Sequence, residues 1–342
     1  MYGVGTVTPP LLTVVVPCLN EQEVIAETNR RLTQVLESLP CRFEIVYVDD
    51  GSSDATPELI RQLRDADERV KLVRLSRSFG HQVAATAGLE HSSGNAVVLI
   101  DADLQDPPEV IAEMFAKWSE GFDVAYGLRV AREGETRFKL WTAKLFYRLM
   151  NRLSEVPIPL DSGDFRLMDR KVVDAILRMP ERDRYLRGMV AWAGFRQIAV
   201  SYTRAPRYSG ETHYPLVKML RFALDAVVSF SAMPLRVATL IGFATSALAL
   251  LGALLAVAVR LLTSHWVTGW TSIVLTILFV GGVQLVCLGI IGEYVGRIYA
   301  ESKRRPLYLI AEELGFREPG SLARVHDEAH AGVSSSEPES DR

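Results

Sequence analysis

The stretch VVLIDADLQDPPEV, residues 97–110, places Asp101, Asp103 and Asp106 within six residues, directly after four apolar ones. Carboxylates this close repel one another unless something positive sits between them. Asp101 and Asp103 flank one residue at the exit of an apolar run, so an extended or turning backbone lets both approach one point. A divalent cation with oxygen ligands would relieve the repulsion, and Gln105 could add a neutral oxygen. Mg²⁺ or Mn²⁺ held this way keeps positions open for phosphate oxygens and would neutralise charge growing on a diphosphate leaving group. Asp106 has a simpler reading. It precedes Pro107, Pro108 and Glu109, the pattern of a helix N-cap with a capping-box acid.

Two further polar clusters follow apolar runs. VDDGSSD supplies Asp49 and Asp50 beside Gly51. Acids here can accept from a base N–H or a ribose hydroxyl, and glycine allows close backbone approach. An ordinary strand-to-helix turn favours the same residue types. PCLNE gives Asn20 and Glu21, which are polar anchors or a helix cap.

The elements that must position these groups are legible as alternating strands and helices. Leu11–Val16 is a β-branched run ending at Pro17, and Glu21–Leu39 has helical character. Phe43–Val48 is a second strand, after which Thr56 caps a helix with Pro57 at its first position. Val70–Leu75 is a third strand, His81–His91 a helix and Ala96–Ile100 a fourth strand. Short apolar strands separated by helices indicate a parallel sheet covered on both faces. Ligands bind such sheets beyond the carboxyl ends of the strands, so the three polar clusters converge on one edge. The GVG at Gly3–Gly5 precedes the first strand and lacks the third glycine of a dinucleotide fingerprint.

The 342 residues allow one large domain and an appendage, and 49% are hydrophobic, high for a purely soluble chain. A net charge of −3 argues against a nucleic-acid partner. Cys18, Cys41 and Cys287 form neither a zinc pattern nor a disulfide framework, which suits a reducing compartment. The N-terminus carries no positively charged leader pattern, so the soluble part is expected in the cytoplasm.

Val237–Val259 holds no charged residue and as a helix would span roughly 34 Å, enough for a hydrocarbon core of about 30 Å. Thr271–Gly292 is a second such run, and Trp266 and Trp270 in the turn between them suit an interfacial belt. The alternative, a buried hairpin in a soluble core, fits two full-length charge-free spans poorly. Lys218, Arg221 and Arg236 precede the spans, and Arg297, Lys303, Arg304 and Arg305 follow them, which puts both ends in the cytoplasm. Pro215–Ser231 has an apolar face (Leu216, Leu220, Leu224, Val227) and a charged one, as a helix lying in the headgroup layer or packing between domains would. The expected division is a catalytic domain over 1–214, an amphipathic helix over 215–234, a transmembrane hairpin over 235–296, a cytoplasmic segment over 297–318 and a polar, disordered tail over 319–342.

VVVPCLNEQE, VDDGSSDAT, RSFGHQVAATAGLEHSSG, DADLQDPPE, DSGDFRLMDR and MPLR, taken together and in this order, resemble the family 2 glycosyltransferases of the GT-A fold. Within these the chain is similar to the polyprenyl-phosphate glycosyltransferases, GtrB-type bactoprenol glucosyltransferases and dolichyl-phosphate mannose synthases among them. The resemblance runs from about Leu11 to Arg305. It implies that Pro17, Asn20, Glu21, Asp49 and Asp50 line a nucleoside pocket, that Asp101 sits by the ribose and diphosphate, and that Asp103 and Gln105 ligate the metal. It implies that Arg129 lies near the acceptor phosphate with Arg137 and Lys139 in the following basic segment, and that Asp161 and Asp164 face the reaction centre. Where the family often carries Gly-x-Ser-Lys-Tyr, this chain has GETHYP, so His213 replaces a permanent charge with a titratable one.

The implied reaction is metal-dependent, inverting transfer of a hexose, with UDP-glucose the first donor to consider, onto a polyprenyl phosphate. It would take place at the cytoplasmic face of the inner membrane, for cell-envelope glycosylation, in a multi-pass protein that self-associates through its membrane part. Another sugar, another lipid acceptor or a non-catalytic membrane scaffold are the competing readings. Intact acids in the DADLQD stretch speak against the scaffold.

Overall fold

In the computed structural model, residues 9–129, 162–182, 184–203, 233–262 and 269–316 are described. Asp161, Arg137, Lys139, His213, Trp266, the expected amphipathic helix and the polar tail lie outside the described residues.

The chain runs β1 (Leu11–Cys18), α1 (Ile25–Glu37), β2 (Arg42–Asp49), α2 (Thr56–Ala66), β3 (Val70–Leu75), α3 (His81–Glu90), β4 (Ala96–Leu99), α4 (Val110–Ser119) and β5 (Val124–Arg129). It continues with β6 (Ser162–Asp169), α5 (Arg170–Leu177), α6 (Leu186–Trp192), β7 (Gln197–Tyr202), α7 (Met233–Leu262), α8 (Trp270–Ser302) and β8 (Ile310–Leu314). Eight strands form one sheet in the order β7-β5-β6-β4-β1-β2-β3-β8. The β4-β1-β2-β3 block is parallel, with Val15 opposite Val46 and Leu99, and β5 pairs β7 in parallel. β6 is antiparallel to both β4 and β5, and β8 is antiparallel to β3.

Side-chain alternation explains the two layers. On one face Val14, Val16, Ile45 and Tyr47 pack against Leu32, Leu36, Ile60 and Phe115 of α1, α2 and α4. On the other, Val15, Val46 and Val48 pack against Ala84, Leu89, Val172, Ile176 and Val190 of α3, α5 and α6. Burial on both faces is why β1 and β2 read as nearly unbroken apolar runs.

Two expected caps are not caps. Helix α2 begins with Thr56 itself. Its N–H donates to Asp54 Oδ1 at 3.0 Å, and its hydroxyl accepts from the Glu21 N–H at 2.9 Å. Asp106 does not cap α4 either, because the helix starts at Val110 with Glu109 as its N-cap. The Asp106 carboxylate is buried instead, and Tyr202 and Arg129 claim it.

The two long helices α7 and α8 pack side by side, with Cys287 Sγ 3.5 Å from the Ala238 carbonyl. Within α8, Phe279–Ser302 is long and apolar enough to cross a membrane by length and composition, while the apolar stretch of α7, Val237–Gly252, is shorter. Leu240, Phe243, Leu285 and Ile298 are each at least 67% exposed, a density of bare apolar surface that water does not tolerate. Beyond α8, the stretch expected as a mere cytoplasmic segment returns to the sheet as β8. There Glu312 pairs with Arg61 at 2.7 Å and Glu313 with His91 at 3.2 Å, and the Tyr308 hydroxyl donates to Glu90.

Candidate active site

The carboxyl ends of β1, β2 and β4 meet at a cavity of about 210 Å³, lined by Pro17, Glu21, Asp50, His81, Asp101 and Asp103 among others. The convergence expected from topology is therefore present, and the loop after β3 contributes a fourth side through His81.

Each acid is placed differently. Asp49 is fully buried, takes the Ser52 N–H at 3.1 Å and pairs with Arg74 at 3.3 Å, so its carboxylate faces protein. Asp50 borders the cavity, yet it accepts from the Phe79 N–H at 2.7 Å, the Gly80 N–H at 3.0 Å and the Ser78 hydroxyl at 2.8 Å. Three of its roughly four acceptor sites are thus used to shape the loop that delivers His81. Gly51, at φ +76°, permits this closure; a Cβ there would stand 2.6 Å from the Arg77 carbonyl carbon. Asn20 clips the loop after β1 to the loop after β2, accepting from the Ser53 N–H at 2.9 Å. Its φ of 57° is one that asparagine tolerates.

In the DADLQ turn, Leu104 sits at φ 57°, a conformation that costs a leucine about 1 kcal/mol and is held here by its burial. The turn brings Asp101 and Asp103 to the cavity and lets Asp103 Oδ1 accept the Gln105 N–H at 3.1 Å. Gln105 is itself buried. Asp101 Oδ1 is buried and makes no hydrogen bond among the described residues. Burial pushes the Asp101 carboxyl up to about 6, with the neighbouring acids adding to the effect and His81 opposing it.

His81 Nε2 lies 3.4 Å from Asp101 Oδ1 and 3.3 Å from Asp164 Oδ2, joining the DADLQ turn to β6. Burial alone would lower the imidazole, but Asp164 and Asp101 together hold it above its ordinary value. Asp164, 5% exposed, also receives Arg187 Nε at 2.7 Å and Gln82 Nε2 at 2.9 Å. Burial would raise its carboxyl, yet His81 and Arg187 hold it well below the usual range. A carboxylate so engaged is an anchor for its neighbours.

Arg129, at the end of β5, donates from Nε to the Tyr202 hydroxyl at 3.1 Å and reaches Asp106 at 3.4 Å. It crosses directly over Gly163, where a Cβ would lie 2.6 Å from its Nη2. Tyr202 donates in turn to Asp106 and stacks edge-on against Phe165. Arg166 is fully enclosed, donating to the carbonyls of Gly163 and Asp164, and burial lowers it to about 10.

Comparison with known proteins gives the family. Residues 13–177 match the profile of Glycosyl transferase family 2. The chain is 47% identical over 302 residues to the uncharacterized glycosyltransferase YkcC of Bacillus subtilis (strain 168), covering 88% of this chain and 94% of that one. It belongs to glycosyl transferase family 2. It is 41% identical to the bactoprenol glucosyl transferase of Shigella phage SfV, over 88% of this chain and 98% of that one. Identity to the prophage bactoprenol glucosyl transferase homolog of Escherichia coli (strain K12) is 39%, over 87% and 98%.

As a family 2 glycosyltransferase the chain is a transferase with a mostly parallel α/β catalytic fold. Three residues of this glycosyltransferase's site were not singled out from sequence: His81, Tyr202 and Arg187. His81 follows a strand's carboxyl end, so the topological rule applied to β3 would have found it. Tyr202 and Arg187 come from segments with no motif of their own, and only their partners mark them.

Proposed function

We propose that this glycosyltransferase transfers a hexose, glucose first among the candidates, from a nucleotide sugar such as UDP-glucose to a polyprenyl phosphate at a membrane surface. The observation that carries the reading is near-full-length similarity, long apolar helices included, to chains named bactoprenol glucosyl transferase. The bare apolar surface of α7 and α8 supports a membrane anchor, and the basic residues flanking them, Arg236 and Lys303–Arg305, favour both ends on the cytoplasmic side. A polyprenyl chain leaves a bilayer at a cost of about 0.8 kcal/mol per methylene, so the catalytic domain must meet the phosphate at the surface. Self-association through the two helices belongs to the same reading.

A phosphate monoester is largely dianionic at neutral pH and needs little help from a base. The difficulty is bringing two anions together. Asp164, held ionised by its partners, is assigned to positioning; Arg129, whose Nε and Nη2 are engaged by Tyr202 and Asp106, is assigned to the acceptor phosphate as a fixed positive charge. Pro17, Glu21 and Asp101 line the space for the nucleoside, sugar and diphosphate. Attack in line with the leaving diphosphate inverts the anomeric centre.

Asp101 and Asp103 fit a hard divalent cation. Both are oxygen donors, and Asp101 has a buried oxygen with no hydrogen bond among the described residues. Among the described residues no cluster of three metal-binding side chains exists, so phosphate and water would complete the shell. Mg²⁺ or Mn²⁺ there would supply charge neutralisation for the departing nucleoside diphosphate.

The test is lipid extraction after incubating the full-length protein with radiolabelled nucleotide sugars and undecaprenyl phosphate. The expected result is label in a polyprenyl-phosphate sugar, with Asp103→Asn at least about a hundredfold slower while still folded. Label confined to glycerolipid would overturn the acceptor assignment.

A further inference from the structure

Three contacts in series cross the site. Asp101 meets His81 at 3.4 Å, His81 meets Asp164 at 3.3 Å, and Asp164 meets Arg187 at 2.7 Å. Gln82 closes the far end, donating to Asp164 and accepting the Leu186 N–H at 3.0 Å. Arg187 is therefore reached from Asp101 only through His81 and Asp164, and Asp164 is the acid it touches. It is also five residues from Arg182, whose N–H donates to Glu301 at 2.8 Å and whose guanidinium reaches the Pro306 carbonyl at 3.3 Å. Those two contacts fix the entrance to α6 against the end of α8, where Lys303, Arg304 and Arg305 follow the apolar span. Arg184 stiffens the connection by donating to the carbonyls of Ile176 and Met179.

The arginines around Asp164 are not equivalent. Arg166 is enclosed and spends its donors on backbone carbonyls, and Arg129 is tied to Tyr202 and Asp106. Arg187 bonds Asp164 through Nε alone. Its terminal nitrogens make no hydrogen bond to any described residue, and its side chain is 29% exposed. A guanidinium anchored at Nε by a buried carboxylate presents its other edge as a fork already oriented for a phosphate.

We propose that Arg187 binds the phosphate of the lipid acceptor as it enters from the membrane side, with Asp164 and Gln82 as its positioning residues. This rests on the polyprenyl-phosphate reading above and adds a residue, and a direction of approach, to it. On this assignment Arg187 serves the acceptor and not the sugar or the departing diphosphate. Its loss should therefore weaken the acceptor and spare the donor, whereas a residue that merely braces Asp164 would disturb both.

The experiment measures steady-state kinetics of the full-length protein in detergent, varying UDP-glucose and a polyprenyl phosphate independently. Wild type, Arg187→Gln and Arg187→Lys are compared. Expected for Arg187→Gln is an acceptor KM raised at least tenfold with donor KM within twofold, and an intermediate acceptor KM for Arg187→Lys. Should Arg187→Gln fail to fold, Arg187→Lys decides alone, with an acceptor KM raised at least threefold at unchanged donor KM. An acceptor KM within twofold of wild type in the folded variants, or equal rises for donor and acceptor, overturns the assignment. No lipid product from the wild type with any donor would instead bring down the polyprenyl-phosphate reading, and this inference with it.

Discussion

Asp164→Asn tests the centre of the site through stability. The wild-type carboxylate is 5% exposed and receives Arg187 at 2.7 Å, Gln82 at 2.9 Å and His81 at 3.3 Å. Asparagine has the same size, but one acceptor oxygen becomes an N–H₂ group that must face a donor. A hydrogen bond to a charged group contributes about 1.5–3 kcal/mol, and removing one partner of a buried pair costs about 3–5 kcal/mol. Arg187 is part-exposed and water compensates it in part, while the enclosed Arg166 has no such relief. The expected loss is therefore about 3 kcal/mol, against a total stability of order 5–15 kcal/mol. Urea unfolding of the detergent-solubilised protein, followed by tryptophan fluorescence from Trp118 and Trp192, reads it directly. Asp164→Asn combined with Arg187→Gln should cost less than the two separately, by about 1–2 kcal/mol. Because Asp164's carboxyl is depressed in the fold, its contribution is present above the ordinary carboxylate value near 3.9 and is lost as pH falls through the folded value. The gap between wild type and variant should thus be widest near pH 5, narrow as His81 loses its proton through its raised folded value, and close in strong acid. A loss below about 1 kcal/mol at pH 7, or strict additivity in the double variant, would refute the reasoning.

Three further outcomes are expected. Tyr202→Phe removes the hydroxyl between Arg129 and Asp106 and should lower kcat/KM roughly tenfold and, because the buried Asp106 carboxylate loses a donor, lower the melting temperature as well; an unchanged kcat/KM would detach Tyr202 from the site. His81→Gln should cost more stability at pH 6 than at pH 9, because the raised imidazole stabilises the fold below about 6.5 and loses that contribution as pH rises through its folded value. Equal cost at both pH values in paired urea titrations would contradict the contacts drawn here. Ending the chain after Leu309 strips β8 from β3 and should lower the urea midpoint and promote aggregation, visible by size-exclusion chromatography. A monodisperse product of wild-type stability would argue that β8 is dispensable.

What the residues disclose before folding depends on how local the cause is. The runs Leu11–Val16, Phe43–Val48, Val70–Leu75 and Ala96–Ile100 are buried on both faces, so their own composition declares them and the acids at their ends follow. β8 is hidden because IAEEL has two glutamates on an edge; Arg61 and His91, far away in the chain, make that sequence a strand. Asp106 misleads for the same reason. Its two prolines and glutamate look like a cap, while a tyrosine 96 residues away decides its role. Asp49 and Asp50 look alike in sequence, but one takes Ser52 and Arg74 and the other holds the loop before His81. Contacts of this range leave no local periodicity to read.

The place of β8 in the chain bears on how the protein is made. The final strand of the sheet is synthesised after both long helices. A nascent chain must therefore carry β3 with an open edge through the whole period in which those helices leave the ribosome. Domains ordinarily complete themselves from the N-terminus during translation. Here the sheet's last seam can close only after both long helices have been made, so no catalytic domain with a covered β3 edge exists without them.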